Sequence, residues 1–239
     1  MRLSTAISQA ALQVNLAQAI VVPASLPRDV SNTTACAQNH LLLARGSTES
    51  YPGVLGDLAS AVIDVLSNTT YENVIYPATD ETTTDSYFVG RTAFADQLGQ
   101  YAEACPDSKI AVLSYSQGAM IVGDALVGGG GQQYLGNATE PLVSESLGQR
   151  ITALMHYGNP RHVPLEPFNI GNGTFNATGK YPRLSEHITI LNERYAAVIA
   201  DCCNSGDPVC AQGPNLTAHL VYPTVWGTAT ADWLVSMLQ

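Results

Sequence analysis

The sequence is short of basic residues, and this shortage limits the partners that the protein can have. Its 239 residues include only 10 Lys and Arg against 20 Asp and Glu, which gives a formal net charge of −10. The basic residues are scattered along the chain and form no cluster that could neutralise a row of phosphates. We therefore expect no nucleic acid among its partners.

Long apolar runs are also missing, although 46% of the residues are hydrophobic. A membrane-spanning helix needs about 20 mostly apolar residues in succession. The chain contains no such run, so the sequence excludes a transmembrane segment. The same length and hydrophobic content allow one substantial core, and we expect a single domain.

Cysteine is scarce, but its pattern is informative. The chain has five cysteines, Cys36, Cys105, Cys202, Cys203 and Cys210. An odd number fits two disulfides and one spare thiol in an oxidising compartment. Because the spacing gives neither two C-x-x-C pairs nor a Cys/His cluster, we expect no zinc or other metal site and no cofactor.

The N-terminus resembles a secretory signal. Arg2, a moderately apolar segment and Ala17 with Ala19 in an A-x-A arrangement fit a signal peptide over residues 1–19. Polar residues dilute the apolar segment, so an amphipathic or loose N-terminus is the alternative. Residues 20–35 then form a loose arm or a pro-segment.

Asparagine-linked glycosylation triplets favour the same route. Such acceptors lie in surface loops of proteins that pass through the secretory pathway. We therefore expect a secreted, extracellular glycoprotein. The N-x-S/T triplets begin at six positions: Asn32, Asn68, Asn137, Asn172, Asn176 and Asn215.

Apolar runs and helical patterns alternate in the domain that we place at residues 36–239. Helical spacing covers 54–66, 87–101, 117–126 and 228–238, and short apolar runs predict strands at 40–44, 73–76, 110–115, 151–157 and 188–200. This alternation predicts an α/β fold with a mostly parallel sheet covered by helices on both faces. The stretch 161–183 is rich in Pro, Gly and Asn and predicts a long loop that is functional or carries glycans.

The sharpest motif lies where the strand at 110–115 meets the next helix. The segment reads Ser114-Tyr115-Ser116-Gln117-Gly118, and a nucleophile elbow here holds the Ser116 hydroxyl clear of the sheet edge. Gly is usual at the first position, and Ser114 is the next smallest polar choice. A plain helix cap is the alternative for Ser116, but the position between strand and helix favours a nucleophile.

A serine nucleophile needs an imidazole to accept its proton and a carboxylate to orient that imidazole. With this type of elbow, the acid and then the histidine follow the serine along the chain. His219 is the best placed histidine, close to the end of the chain. His156 ends an apolar strand and reads as a core residue, while His162 and His187 lie in or beside the long loop.

Asp207 is the preferred acid because it lies between Cys203 and Cys210. A disulfide there would hold the carboxylate on a stiff loop. An ordinary Gly-Asp-Pro turn is the alternative. Asp201 is a rival acid, whereas Asp232 follows the histidine and is out of order.

These motifs together resemble the fungal cutinase and acetylxylan esterase family of serine esterases. The resemblance runs from Cys36 to about Tyr222, most of the chain. It rests on four blocks in the family's order: Ala44-Arg45-Gly46-Ser47-Thr48-Glu49, Cys105-Pro106-Asp107 leading into Tyr115-Ser116-Gln117-Gly118-Ala119, Cys203-Asn204-Ser205-Gly206-Asp207-Pro208-Val209-Cys210, and Ala218-His219-Leu220.

The resemblance implies a fold and a set of roles. It implies a compact α/β-hydrolase fold with five parallel strands in the central sheet and no large lid. Ser116 is then the nucleophile, Asp207 the acid and His219 the base of a Ser-His-Asp triad, and Ser47 and Gln117 form the oxyanion hole.

The resemblance also implies two disulfides. It pairs Cys36 with Cys105 and Cys203 with Cys210. Cys202 lies beside the second bridge, so which of the two neighbouring cysteines pairs with Cys210 is left open.

The natural ester is open between the two branches of this family. Leu220 and Val221 favour the apolar rim of a cutinase that accepts aliphatic or polyester substrates. The pair Asp207-Pro208, the segment 125–130 and the turn at 158–160 are closer to the branch that removes acetyl groups from plant polysaccharide. We expect a monomer that hydrolyses cutinase-type esters, by a narrow margin over acetylated xylan.

Two other functions remain as alternatives. An inactive glycan- or lipid-binding protein could share the fold, since a fold alone does not prove activity. A lipase is disfavoured because the sequence shows no long apolar lid segment.

Overall fold

The computed structural model describes residues 36–80, 84–172 and 176–239. The expected signal peptide, the arm at 20–35 and the acceptor Asn32 lie outside the described residues. In this part of the chain the elements run in the order β1 (Asn39–Ala44), α1 (Leu55–Val65), β2 (Thr69–Asn73), α2 (Thr84–Ala104), β3 (Lys109–Tyr115), α3 (Gln117–Val127), α4 (Glu145–Gly148), β4 (Ile151–Tyr157), β5 (Asn169–Gly171), α5 (Ser185–Tyr195), β6 (Ile199–Cys203), α6 (Leu216–Leu220) and α7 (Tyr222–Leu238).

All strands join one parallel sheet in the order β2-β1-β3-β4-β6-β5. The central strand β3 lies between β1 and β4 and is buried along almost all of its length. In a parallel sheet all carboxyl ends meet at one edge, where ligands bind in open α/β folds. The residues that follow β1, β3 and β6 are therefore brought together at what we call the carboxyl edge.

Helices cover both faces of the sheet, which confirms the α/β-hydrolase-like fold. Successive strand residues alternate between the faces: Leu42 and Val112 pack in the layer of α2, α3 and α5, whereas Leu41 and Leu113 pack in the layer of α1 and α7. No helix among the described residues is both long and apolar enough to span a membrane.

The expectation of five strands is wrong, because the sheet formed by the described residues has six. The additional strand β5 covers Asn169–Gly171, inside the stretch that the sequence indicated as loop. It pairs with β6 through Asn169–Asp201 and Ile170–Cys202. Backbone hydrogen bonds hold so short an edge strand in place, so it leaves no hydrophobic pattern in the sequence.

The prediction of a strand at 188–200 is also wrong for most of that segment. That segment is mostly helix α5, and the strand β6 begins only at Ile199. The buried side chains of α5 are His187, Leu191 and Tyr195, four residues apart as on one face of a helix. Two of these three residues carry polar atoms, which obscured the helical period.

The bounds of two further elements differ from those predicted from the sequence. Strand β2 covers Thr69–Asn73 instead of 73–76, and α7 begins at Tyr222 instead of 228. The first turn of α7 contains Pro223, a residue that helices accept at their first positions because no amide donor is needed there. The early start of α7 brings Tyr222 close to the carboxyl edge.

A buried ionic cluster fastens the long loop at 161–183 to helix α3. The Asp124 carboxylate in α3 accepts hydrogen bonds from Arg161 Nε at 3.1 Å, Arg183 Nη1 at 2.7 Å and the Tyr87 hydroxyl at 2.6 Å. Arg161 and Arg183 are the two ends of the loop at 161–183, and the Asp124 side chain is fully buried. One carboxylate therefore anchors both ends of this loop.

We expect Asp124→Asn to lower the free energy of unfolding by about 3–5 kcal/mol, because it leaves two buried guanidinium groups without their counter-charge. Urea denaturation checks this value. Asp232→Asn is the matched control, since Asp232 is exposed on α7, and it should change the free energy by less than about 0.5 kcal/mol. Equal losses in the two variants would contradict the assigned role of the cluster.

Candidate active site

Ser116 occupies a strained turn between β3 and α3. Its φ of 53° and ψ of −116° lie in a region that residues with a side chain rarely adopt. A Cβ on Gly118 would overlap the carbonyl oxygen of Ala44, so α3 approaches the end of β1 as closely as a backbone can. The Ser-x-Gly spacing of the motif thus follows from the geometry of the turn.

His219 lies between Ser116 and Asp207. Its Nε2 is 3.0 Å from the Ser116 Oγ, and its Nδ1 is 2.9 Å from the Asp207 Oδ2. The three side chains come from the start of α3, from the loop after β6 and from α6. All three are buried, with exposed fractions of 7% for Ser116, 6% for His219 and 0% for Asp207.

The Asp207 carboxylate is held on a short loop closed by the disulfide between Cys203 and Cys210. Its Oδ1 accepts the backbone N–H groups of Val209 at 2.6 Å and Cys210 at 3.2 Å. Burial alone would raise the pKa of Asp207, but hydrogen bonds from His219, Tyr222 and the Val209 backbone outweigh burial and lower it. Asp207 is therefore an anion in the folded protein at neutral pH.

Asn204 ties the Asp207 loop to the helix that carries His219. Its Nδ2 donates to the Ala218 carbonyl at 2.8 Å, and its Oδ1 accepts the Trp226 Nε1–H at 2.8 Å. Because Asn204 is itself buried, these bonds fix the spacing between the acid and the imidazole. Apart from its place in the Cys203 to Cys210 block, Asn204 had no distinguishing feature in the sequence.

Gln117 lies at the first position of α3, where its backbone N–H has no acceptor in a preceding helical turn. Its side chain is engaged elsewhere: Oε1 accepts the Ser86 hydroxyl at 2.9 Å and Nε2 donates to the Thr79 carbonyl at 2.9 Å. The side chain therefore acts as a brace, so any contribution of Gln117 to an oxyanion hole comes from its backbone N–H.

Ser47 lies in the loop that follows β1 at the same carboxyl edge, and it is partly exposed. Glu49 shapes this loop, since its carboxylate accepts the N–H groups of Gly46 at 2.7 Å and Val54 at 3.0 Å. The buried Arg45 donates to the carbonyl of Glu49 at 2.6 Å and to that of Tyr76 at 2.9 Å. Ser47 thus lies in a braced loop whose Gly46 packs against Tyr115, next to the elbow that contains Gln117.

His156 and Asp201 lie outside this arrangement. The His156 Nδ1 is 2.5 Å from the Ser114 Oγ, and burial lowers the pKa of His156 to about 4. Asp201 contacts His162 Nδ1 at 3.3 Å and accepts the Asn159 Nδ2–H at 3.0 Å. The rival acid is therefore occupied in a separate buried cluster.

The remaining histidine and aspartate candidates are also apart from Ser116. His187 is buried on α5, where it packs under the loop that contains Gly128. Asp232 is exposed on α7. Neither one contacts the Ser116, His219 and Asp207 side chains in the described part of the chain.

Tyr222 is a residue that the sequence analysis missed. Its hydroxyl donates to the Asp207 Oδ2 at 2.6 Å, the same oxygen that His219 contacts. The available signal was a tyrosine three residues after the histidine, at the start of the closing helix.

The cysteines pair as Cys36–Cys105 and Cys203–Cys210, and Cys202 is a buried free thiol. Neighbouring residues of a strand point to opposite faces, so Cys202 packs in the core beneath α7 while Cys203 reaches Cys210. Burial raises the pKa of Cys202, which keeps its thiol protonated and unreactive.

The glycosylation acceptors within the described residues all lie at the surface: Asn68, Asn137, Asn172, Asn176 and Asn215 are exposed. Asn215 also caps α6, because its side-chain oxygen accepts the N–H of Ala218. A glycan on its nitrogen would stand one helical turn from His219.

Comparisons with known proteins find similar chains that belong to one family. The family model described as Cutinase matches residues 35–238. Cutinase 11 of Verticillium dahliae is 28% identical over 93% of this chain and 75% of its own length. The acetylxylan esterase of Hypocrea jecorina is 27% identical over 85% of this chain and 68% of its own length. A solved acetyl xylan esterase superposes with a TM-score of 0.75 at 25% identity, covering 86% of this chain and 100% of that one.

The lowered pKa of the buried His156 predicts how the stability of the protein depends on pH. Because the pKa of His156 is about 4 when folded and about 6.5 when unfolded, only the unfolded chain takes up this proton between those values. Stability is therefore complete above about pH 6.5 and falls below it, by about 1.4 kcal/mol per pH unit for this group. The lowered pKa values of Asp201 and Asp207 act below about pH 4 and leave this window unaffected.

Urea denaturation at several pH values between 7.5 and 5 measures this slope. In His156→Gln, the free energy of unfolding should fall less steeply as the pH is lowered. The difference in slope should be up to about 1.4 kcal/mol per pH unit, which corresponds to one proton, whatever the absolute stability of the variant. Parallel slopes for the two proteins would contradict the assignment to His156.

Proposed function

Because the chain belongs to the cutinase family of serine ester hydrolases, we propose that it is a secreted, monomeric carboxylesterase that uses Ser116, His219 and Asp207 as its triad. The observation that carries the proposal is the continuous hydrogen-bonded series from the Ser116 Oγ through both nitrogens of His219 to the Asp207 carboxylate. The two disulfides and the exposed glycosylation acceptors support secretion.

The acylation step follows from these positions. His219 Nε2 takes the Ser116 proton as Oγ attacks the ester carbonyl carbon, and the Asp207 carboxylate stabilises the resulting imidazolium through Nδ1. The same proton then passes to the leaving alcohol as the carbon–oxygen bond breaks. An acyl group remains on Ser116.

Deacylation repeats the sequence with water. His219 removes a proton from water as the water oxygen attacks the acyl carbon, and returns it to the Ser116 Oγ when the acid departs. In both steps negative charge develops on the carbonyl oxygen. The backbone N–H groups of Gln117 and Ser47 are the proposed donors to that oxygen, and one such donor typically lowers the barrier by about 3 kcal/mol.

Ser116→Ala should lower kcat for p-nitrophenyl esters by about 10³-fold or more, because no other group forms the acyl-enzyme. Ser236→Ala, which removes an exposed hydroxyl near the end of α7, is the matched control and should keep full activity. Initial rates at 405 nm measure both. A folded wild type without turnover, or an active Ser116→Ala variant, would overturn the proposed mechanism and favour a binding function.

We propose cutinase-type aliphatic esters as the substrate class. Leu216, Leu220 and Val225 are exposed by 61%, 57% and 54%, and all three lie on α6 or in the first turn of α7 beside His219. Residues three apart on a helix are neighbours, so Leu216 and His219 share one side of α6. Exposed apolar side chains at such a position favour contact with an acyl chain.

Acetylated xylan is the second candidate. Its support is the similarity of the whole fold to a solved acetyl xylan esterase, together with the acetylxylan esterase relative found by sequence. Release of acetate from acetylated xylan, compared with hydrolysis of p-nitrophenyl esters from acetate to palmitate, separates the two candidates. A preference for butyrate or longer chains supports the cutinase type, and a strict preference for acetate supports the alternative.

Leu220→Ser should lower kcat/KM for p-nitrophenyl butyrate by about 5-fold while kcat/KM for the acetate changes little, because about 1 kcal/mol of apolar contact is lost only with the longer chain. Leu142→Ser is the matched control, since Leu142 is 48% exposed but lies near the far end of α3 from Ser116, next to Ala125. Equal changes for both esters would contradict an apolar acyl rim at Leu220.

A further inference from the structure

We propose that Tyr222 is a positioning residue of this esterase, and that its hydroxyl sets the orientation and hydrogen-bonding strength of the Asp207 carboxylate that supports His219. This inference rests on the proposed function, since it assigns Tyr222 a part in the same triad. Tyr222 is fully buried, so it acts through Asp207 and does not contact the ester.

The contacts of Asp207 carry the first step. The Tyr222 hydroxyl and the His219 Nδ1 both lie on Oδ2, at 2.6 Å and 2.9 Å. The Val209 and Cys210 N–H groups occupy Oδ1. A carboxylate has about four acceptor sites, so these four donors saturate it and fix the plane in which His219 is held.

The direction of the Tyr222 hydrogen bond is also determined. The hydroxyl oxygen accepts the backbone N–H of Asn204 at 2.9 Å, which leaves its single proton for Asp207. Burial and the nearby Asp207 charge raise the pKa of Tyr222, so the hydroxyl remains protonated. Tyr222 is therefore a permanent donor to the oxygen that His219 uses.

The ring of Tyr222 has little freedom to move. It stacks on Tyr157 with centroids 5.2 Å apart and presents an edge to the His219 ring at an interplanar angle of 90°. A Cβ on Gly158 would lie within 3.1 Å of both His219 and Tyr222. The hydroxyl is thus held in one position relative to both members of the acid and base pair.

Loss of this hydroxyl has two consequences for catalysis. The Oδ2 atom keeps only His219 as a partner, so its negative charge is less dispersed and stabilises the protonated imidazole more strongly. The acid limb of the pH–rate profile should then lie at higher pH. The carboxylate plane also loses one of its four restraints, so the imidazole is less often aligned with Ser116.

The chain contains a close structural match that serves as the control. The Tyr87 hydroxyl also donates at 2.6 Å to a buried aspartate, Asp124, and also accepts a backbone N–H, that of Gly130 at 3.0 Å. Tyr87 is fully buried as well. Phenylalanine at either position removes the same kind of hydrogen bond, but only Tyr222 contacts the triad.

The experiment compares Tyr222→Phe and Tyr87→Phe with the wild type in the hydrolysis of p-nitrophenyl butyrate between pH 5 and 9. We expect kcat of Tyr222→Phe to fall by roughly 10-fold to 100-fold, the range for one hydrogen bond to a charged group, with KM unchanged. The acid limb of its kcat/KM profile should move to higher pH. Tyr87→Phe should melt at a lower temperature but keep the wild-type kcat and acid limb.

Wild-type kinetics in Tyr222→Phe would overturn the proposal, as would a lower kcat without a shift of the acid limb, or the same kinetic changes in Tyr87→Phe. Coupling to the acid gives an independent readout. In an Asp207→Ala background, Tyr222→Phe should cause no further loss of kcat, and a full additive loss would contradict action through Asp207.

A second variant covers the case in which Tyr222→Phe fails to fold. Site-specific 3-fluorotyrosine keeps the ring and hydroxyl in place but makes the hydroxyl a stronger donor, so the acid limb should move to lower pH. An unchanged acid limb would overturn the proposal. Ser116→Ala in the same assay separates the two hypotheses: activity without Ser116 contradicts the proposed function, whereas its loss together with wild-type behaviour at position 222 contradicts only the role of Tyr222.

Discussion

The close approach of helix α3 to strand β1 is the constraint from which the rest of the active site follows. Gly118 packs against the Ala44 carbonyl, which forces the chain to turn at Ser116 with a backbone conformation that residues with a side chain normally avoid. This turn points the hydroxyl away from the sheet and brings the start of α3 beside the loop after β1. One tight backbone contact therefore brings the proposed nucleophile close to the loop that contains Ser47.

Asp207 and His219 are subject to a different constraint. Burying a carboxylate costs free energy unless its oxygens accept hydrogen bonds. Asp207 meets this requirement with two backbone donors from its own disulfide-closed loop, one imidazole and one tyrosine hydroxyl. Asp124 meets it with two arginines and a tyrosine. The first cluster holds the proposed acid and base, and the second fastens a loop, although both rely on hydrogen bonds to a buried carboxylate.

The proposed triad and the proposed acyl-binding side chains differ in burial, although His219 lies on α6 together with Leu216 and Leu220. The side chains of the proposed triad are buried at the carboxyl edge, whereas those of Leu216 and Leu220 are exposed and contribute little to the packing of the core. Relatives named as cutinases and as acetylxylan esterases can therefore share the same central geometry. We expect changes in these exposed side chains to alter the acyl group that fits without disturbing the hydrogen bonds of the proposed triad.

The sequence by itself determined the elements with strong local patterns and the residues held by tight turns. The apolar runs of β1, β3 and β4 and the Ser-x-Gly elbow predicted the central sheet and the position of Ser116, because strand burial and the steric limits of the turn act on neighbouring residues. The order of Asp207 and His219 after the elbow, together with the family resemblance, indicated their roles. Only the tertiary structure decided that Asp201 belongs to a cluster with His162, that Cys203 and not Cys202 reaches Cys210, that the short strand β5 extends the sheet, and that Tyr222 shares an oxygen with His219. These features depend on contacts between segments far apart in the chain or on which face of a strand a side chain occupies, and neither leaves a local pattern in the sequence.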